Sequence, residues 1–131
     1  MQVSLDLSGH RLIATVSGIF DVDESIDKFS SILLYCRTYS VRQVLVDFRG
    51  LDGRGHATTA LLYAHHVAQL YQDYSSRGGA PLRIAYLGPG DFIGASMQAL
   101  DIARAGGIEA IATTEFQEAD GWLESTGALL N

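Results

Sequence analysis

The chain has 131 residues, of which 47% are apolar, and its formal charge is −6, from 9 basic and 15 acidic side chains. This is the composition of one core-forming globular domain, and it excludes a disordered segment, in which apolar residues are scarce. The basic residues are scattered, whereas a nucleic-acid partner needs a clustered positive face. No run approaches the ~18 apolar residues of a membrane span. The amino terminus lacks a signal pattern, so we expect a cytoplasmic protein.

The first part of the chain is predicted to form a hairpin and a helix. Apolar and polar residues alternate over 3–7, which indicates a half-buried strand, and a second strand over 12–17 follows a turn. Asp21 is predicted to be the helix N-cap, with Glu24 at the capping-box spacing. The inward stripe of this helix is predicted to be Ile26, Phe29, Leu33 and Cys36.

Strands and long helices alternate in the rest of the chain. Nearly continuous apolar runs, typical of strands buried on both faces, lie at 44–48, 82–87 and 108–112. Helices are predicted over Ala57–Ser76, after a cap at Asp91 and after a cap at Thr114. Crossovers of about ten or more residues indicate parallel pairing of the later strands. The sequence therefore predicts a single α/β domain over 1–131, with an N-terminal hairpin and a mixed sheet of about five strands.

Four segments occur in an order and pattern that match a known family. They are VSGIFD at 16–21, VLVDFRG at 44–50, LRIAYLG at 82–88, and ATTEF at 112–116 with EADGWL at 118–123. Together they resemble the STAS domain (sulfate transporter and anti-sigma-factor antagonist), in particular its stand-alone stage II sporulation protein AA-like branch, also described as STAS/SEC14-like. The resemblance covers nearly the whole chain.

The resemblance implies a function as well as a fold. It implies a STAS-like, non-enzymatic regulatory module that docks a protein partner through the loop and helix after the central strand. The SEC14-like label implies the alternative, a domain that binds a small molecule or a lipid in an apolar crevice. Storage of such a ligand needs a cavity above ~300 Å³. An enzyme is the third and least favoured hypothesis.

In this family, a serine or threonine in the loop after the central strand is phosphorylated by a partner kinase. The site suits an added negative charge, because a helix N-terminus favours anions. Matching Asp47 and Gly50 to the family strand puts the serine position at or beside His56, which has no hydroxyl group. Thr58 and Thr59 are therefore the candidate phosphorylation sites.

Several polar residues gather at the junction between this loop and the long helix. They are Asp52, Arg54, His56, Thr58 and Thr59. Because ligands of open α/β sheets bind at the carboxyl ends of strands, we predict a partner or ligand site here, with Arg54 as counter-charge and His56 as hydrogen-bond partner. The structural alternative is that the loop glycines permit a turn while Thr58 or Asp52 caps the helix.

Three side chains of the long helix are candidates for a contact surface: Tyr63, His66 and Tyr74. Tyrosine has a broad apolar body and one polar tip, which suits a homodimer interface or the wall of an apolar crevice. The alternative is that these side chains only cover the sheet.

The sequence predicts no catalytic residue, metal or cofactor. Cys36 falls on the buried stripe of the first helix, and a buried free cysteine is seldom a nucleophile. His65 and His66 are adjacent, so they point about 100° apart on a helix and do not form a metal pair. The segment GPGD at 88–91 lacks the Lys-Ser/Thr pair of a phosphate loop.

Overall fold

The chain begins with a hairpin and then alternates helices and strands, as its sequence predicts. The structure is a computed structural model that describes residues 1–52 and 57–129, with only the backbone described at 57, 58, 95 and 126–129. The elements of these residues, in chain order, are β1 (Gln2–Ser8), β2 (Arg11–Ile19), α1 (Val22–Tyr39), β3 (Gln43–Asp52), α2 (Ala57–Ser76), β4 (Arg83–Leu87), α3 (Gly90–Ala105), β5 (Glu109–Thr113) and α4 (Phe116–Leu129).

The five strands form one mixed sheet in the order β1-β2-β3-β4-β5. β1 pairs with β2 in antiparallel fashion, and the pairs β2–β3, β3–β4 and β4–β5 are parallel. This confirms the predicted fold class. Because the parallel strands follow one another in sequence order, right-handed crossovers place α1, α2 and α3 on the same face of the sheet.

Each face of the sheet has its own core. On the first face, Phe29 of α1, Val67 of α2 and Leu100 of α3 belong to one buried cluster with residues of the sheet. On the second face, Ala119 and Leu123 of α4 pack on a smaller cluster of Leu45, Ala85 and Leu87. The structure is thus a three-layer arrangement, and α4 alone of the described helices covers the second face.

Both ends of α1 follow local chemistry. Asp21 caps α1, because its Oδ1 accepts a hydrogen bond from the backbone N–H of Glu24 at 2.9 Å. α1 ends at Ser40, which takes the left-handed conformation with φ 56°. The predicted cap at Asp21 is confirmed, and of the predicted inward stripe Phe29, Leu33 and Cys36 are buried whereas Ile26 is half-buried.

The end of β3 and the start of α3 differ from the predictions. β3 continues through Gly50 to Asp52, although Gly50 was expected in a loop, because the pairing with β2 resumes after a register shift and places Gly50 opposite Ser17. A Cβ at Gly50 would lie 3.2 Å from the Cβ of Ser17, so a side chain would crowd this pairing. α3 starts at Gly90 with Pro89 as its N-cap, so Asp91 lies in the first turn and is not the cap.

Gly106, at the end of α3, is where this helix comes close to α2. A Cβ at Gly106 would lie 2.8 Å from the Cβ of Ala68, whereas a Cβ at Gly121 of α4 would meet nothing within 4 Å. We expect Gly106→Ala to lower the free energy of unfolding by about 1–3 kcal/mol through overpacking. The matched Gly121→Ala should raise it by about 1 kcal/mol, because alanine is the better helix former. Urea denaturation checks both, and a loss of stability in Gly121→Ala would contradict the second expectation.

No helix among the described residues is both long enough and apolar enough to cross a membrane.

Candidate functional site

A cavity of about 240 Å³ lies between α2, α3 and the sheet, at the carboxyl ends of the parallel strands. Its sheet side is formed by Phe48 of β3, Tyr86 of β4 and Ala112 of β5, and α2 and α3 supply its walls. This is the edge at which open α/β sheets hold ligands, because the connections to the helices diverge there. The fold therefore leaves a hollow at the place where a ligand is expected.

Five aromatic side chains line the cavity and contact one another; we call them the aromatic cluster. They are Phe20, Phe48, Tyr63, Tyr86 and Phe92. The rings of Phe48 and Tyr86 are stacked with centroids 6.0 Å apart, and Phe92 approaches Phe48 to 4.8 Å. The ring of Tyr63 meets Phe20 edge-on at 6.1 Å and Tyr86 edge-on at 6.5 Å. Such pairs add about 0.5–1.5 kcal/mol each beyond burial, so the walls are well packed around the hollow.

Gly88 makes room for one member of this cluster. A Cβ at Gly88 would lie 2.9 Å from Cδ1 of Phe92 and 3.5 Å from Cβ of Phe48. The absence of a side chain therefore lets the Phe92 ring fold back from α3 over the end of β4. The segment GPGD serves here as a tight connection from strand to helix.

Tyr63 and Tyr86 form a hydroxyl pair inside the aromatic cluster. Burial raises the pKa of Tyr63 well above its usual value, with further rises from the charge of Tyr86 and from the hydrogen bond between the two hydroxyls. Burial raises the pKa of Tyr86 to about 12, and the hydrogen bond from Tyr63 opposes that rise. Both hydroxyls stay protonated at neutral pH and are available as neutral hydrogen-bonding groups.

The remaining polar groups lie around the apolar walls. They are Asp52, Thr59, Asp91 and Ser96. Ser96 Oγ donates to the backbone oxygen of Phe92 at 2.7 Å, so its hydroxyl proton is used within α3. Asp52 and Asp91 are exposed, and within residues 1–52 and 57–129 neither carboxylate forms an ion pair. Among the described lining residues there is no basic side chain.

The structure brings together three of the residues predicted from the sequence. Asp52, Thr59 and Tyr63 all line the cavity. Arg54 and His56 lie outside the described residues, and only the backbone of Thr58 is described. Their predicted roles, including phosphorylation at Thr58 or Thr59, stay predictions.

The other two predicted contact residues lie away from the cavity. His66 is exposed on the outer side of α2. Tyr74 needs a correction, because it is buried in the core of its own chain and presents no surface to a second copy. Its hydroxyl donates to the backbone oxygen of Ala80 at 3.0 Å, and the guanidinium of Arg37 lies 5.4 Å from its ring centre. Tyr74 therefore helps to hold α1, α2 and the following turn together.

Other candidates for chemistry do not form a site. Burial raises the pKa of the Cys36 thiol to about 12, which keeps it protonated and unreactive at neutral pH. Within the described part of the chain, no group of three His, Cys, Asp or Glu side chains is arranged to hold a metal ion.

Four members of the aromatic cluster were missed in the sequence: Phe20, Phe48, Tyr86 and Phe92. A signal for them was present. Each lies within or shortly after the carboxyl-terminal half of a predicted parallel strand, and the carboxyl ends of parallel strands meet at one edge. Aromatic residues at these ends could therefore be expected to converge, although the residues are far apart in sequence.

The chain matches no model of a known protein family, and a search of curated proteins finds no match either.

Proposed function

We propose that this protein is a non-enzymatic binding module that holds a compact apolar ligand in the cavity between α2, α3 and the sheet. The observation that supports this proposal is the cavity itself, with its aromatic walls at the carboxyl edge of the strands. Pockets for small molecules are typically apolar and aromatic, with a few placed polar groups. Tyr63 and Tyr86, which both line the cavity, carry such groups here.

The volume of the cavity limits the ligand. At about 240 Å³ it lies below the ~300 Å³ at which drug-sized pockets begin, so the expectation of a lipid-sized crevice is not met. A dry apolar cavity of about 150 Å³ is enough for benzene. The proposed ligand is therefore one ring with a short substituent, or an apolar molecule of similar size.

Docking of a protein partner through α2 and the loop before it is a second candidate. It is favoured by Leu62, an apolar side chain on the outer side of α2 that is 49% exposed. The same helix contributes Thr59, Ala60 and Tyr63 to the cavity. Ligand binding and partner docking would then share one element, α2.

Filling the cavity from the α2 side tests the proposed function. We expect saturating ethylbenzene to raise the unfolding temperature of the unchanged protein, because a ligand that binds only the folded state stabilises it. Ala60→Phe places a ring into the cavity and should abolish this rise. Differential scanning calorimetry with and without ethylbenzene measures the effect.

A matched variant controls for the added ring. Ala105→Phe makes the same change at an exposed position of α3 that does not line the cavity, and it should keep the full response to ethylbenzene. If ethylbenzene fails to stabilise the unchanged protein, or stabilises Ala60→Phe as well, the cavity is not the ligand site.

A further inference from the structure

We infer that Phe92 sets the maximum length of the ligand in the cavity, and that Gly88 is the positioning residue that gives the Phe92 ring its place. The inference rests on the proposed function and names a specificity-determining residue of the same cavity. The ligand class that follows is an apolar molecule that is short enough to end at the Phe92 ring.

The cavity has a buried end and an exposed end. Val67 and Leu100 line the buried end, between α2 and α3. Ile19, which is 74% exposed, and Asp91 line the other end, at the carboxyl edge of the strands. Phe92 also lines the cavity, is half-buried and lies in the first turn of α3. The Phe92 ring therefore bounds the cavity on the side that leads to the surface.

The Phe92 ring is held in place by its own contacts. Its centroid lies 4.8 Å from that of Phe48, which is only 3% exposed on the central strand β3. The backbone beside it is fixed as well, because Ser96 Oγ donates to the Phe92 oxygen at 2.7 Å and the N–H of Ile93 donates to the Pro89 oxygen at 3.0 Å. A packed ring of this kind resists the added volume of a longer ligand.

The space beside this ring depends on Gly88. Its φ lies outside the left-handed region, so the backbone itself accepts an alanine. An added Cβ, however, would lie 2.9 Å from Cδ1 of Phe92, whereas Cβ of Phe48 would lie at an ordinary contact distance of 3.5 Å. Phe92 lines the cavity and Gly88 does not, so the ring stands between the glycine and the hollow. A methyl group at position 88 would therefore push the ring toward the ligand.

Ethylbenzene and n-pentylbenzene test the length limit, because they differ only by three methylene groups. In the unchanged protein we expect n-pentylbenzene to bind no more tightly than ethylbenzene, since its longer chain meets Phe92. In Phe92→Ala the added chain is buried, so the Kd of n-pentylbenzene should fall below that of ethylbenzene by about fourfold per methylene. Phe92→Leu keeps an apolar side chain at this position and should give a smaller gain. Isothermal titration calorimetry on the full chain measures these constants.

Gly88→Ala tests the positioning role. We expect it to raise the Kd of ethylbenzene about tenfold, because the displaced ring takes volume from the cavity. In the combination with Phe92→Ala this effect should vanish, since no ring remains to be displaced, whereas a general loss of packing would persist. If Gly88→Ala does not fold, recovery of the fold in the combined variant shows the same dependence on the ring.

Gly90→Ala is the matched control for the added methyl group. Gly90 does not line the cavity, and a Cβ there would meet nothing within 4 Å. The Kd of ethylbenzene should therefore equal that of the unchanged protein. An effect as large as that of Gly88→Ala, or an effect of Gly88→Ala that persists in the combined variant, would overturn the role of Gly88.

The outcomes distinguish this inference from the proposed function. If ethylbenzene does not bind the unchanged protein, the proposed function itself fails. If ethylbenzene binds, but the ratio of the two Kd values is the same in the unchanged protein and in Phe92→Ala, Phe92 does not set the length of the ligand. In that case only the inference is overturned, and the cavity keeps its proposed function.

Discussion

Replacing Phe48 with alanine is expected to lower the free energy of unfolding by about 3–5 kcal/mol, the cost of removing a buried phenylalanine. Phe48 is only 3% exposed, and its ring contacts Phe20, Tyr86 and Phe92. Three ring contacts are therefore lost at once, and the space left behind adjoins a cavity that already exists. Since domains of this size are stable by about 5–15 kcal/mol, the change removes a large part of the total.

Phe116→Ala is the matched control for this prediction. Phe116 is the first residue of α4 and is 44% exposed, so the same deletion should cost far less. Urea denaturation followed by circular dichroism measures both variants. Equal losses for Phe48→Ala and Phe116→Ala would show that the aromatic cluster does not hold the sheet, α2 and α3 together.

Much of the fold follows from patterns that act over short distances. The α2 boundaries at Ala57–Ser76 agree with the structure, because the buried positions recur at helical spacing and two glycines follow the helix. The parallel pairing of β3, β4 and β5 follows from the length of the connections. These signals are local, so the sequence contains them directly.

The errors occur where distant residues decide the structure. β3 extends beyond its apolar run because β2 lies beside it and continues the pairing to Asp52. The spacing of Phe116 with Ala119 and Leu123 predicts an inward position for all three, but Phe116 stands at the start of α4 and is exposed. In both cases the neighbouring element, which the local pattern does not reveal, determines burial or pairing.

The candidate site was only partly predictable for the same reason. Asp52 and Thr59 were found because they follow a central strand, where ligands of this fold class bind. The cavity was not found, since its walls come from β2, β3, α2, β4, α3 and β5 and its volume depends on how these elements pack. The sequence can therefore indicate at which edge of the sheet a site lies, but it does not indicate the volume of the cavity at that edge.

The role of Arg11 also depends on residues that are far from it in the sequence. Its side chain is 9% exposed and lies between β2 and α4, where Nη1 is 2.6 Å from Asp120 Oδ1 and Nη2 is 3.0 Å from Glu124 Oε1. Its Nε donates to Gln43 Oε1 at 3.2 Å. The two carboxylates are about half-exposed, at 46% and 53%. The burial is therefore unequal, with the cation inside and the anions at the surface.

The unequal burial predicts that losing the two carboxylate charges lowers stability more than losing the guanidinium does. Asp120→Asn combined with Glu124→Gln leaves a buried guanidinium without its counter-charges, so we expect a loss near the ~3 kcal/mol lower bound for breaking a buried ion pair. Arg11→Met removes the buried charge, fills similar space and leaves carboxylates that water can solvate, so its cost should be clearly smaller. An ordinary surface pair would give losses of only about 0–1 kcal/mol in either case.

Urea denaturation of the two variants and of their combination separates these cases. In the combined variant, Arg11→Met should recover most of the stability that the double carboxylate change removes, because no unpaired charge then remains buried. Glu115→Gln serves as a charge control, since Glu115 is an exposed carboxylate just before α4 that makes no ion pair within residues 1–52 and 57–129. The explanation is wrong if Arg11→Met lowers the free energy of unfolding as much as the double carboxylate change does. In that case the attraction between the guanidinium and the carboxylates exceeds the cost of desolvating the guanidinium, and the ion pair itself holds α4 on the sheet.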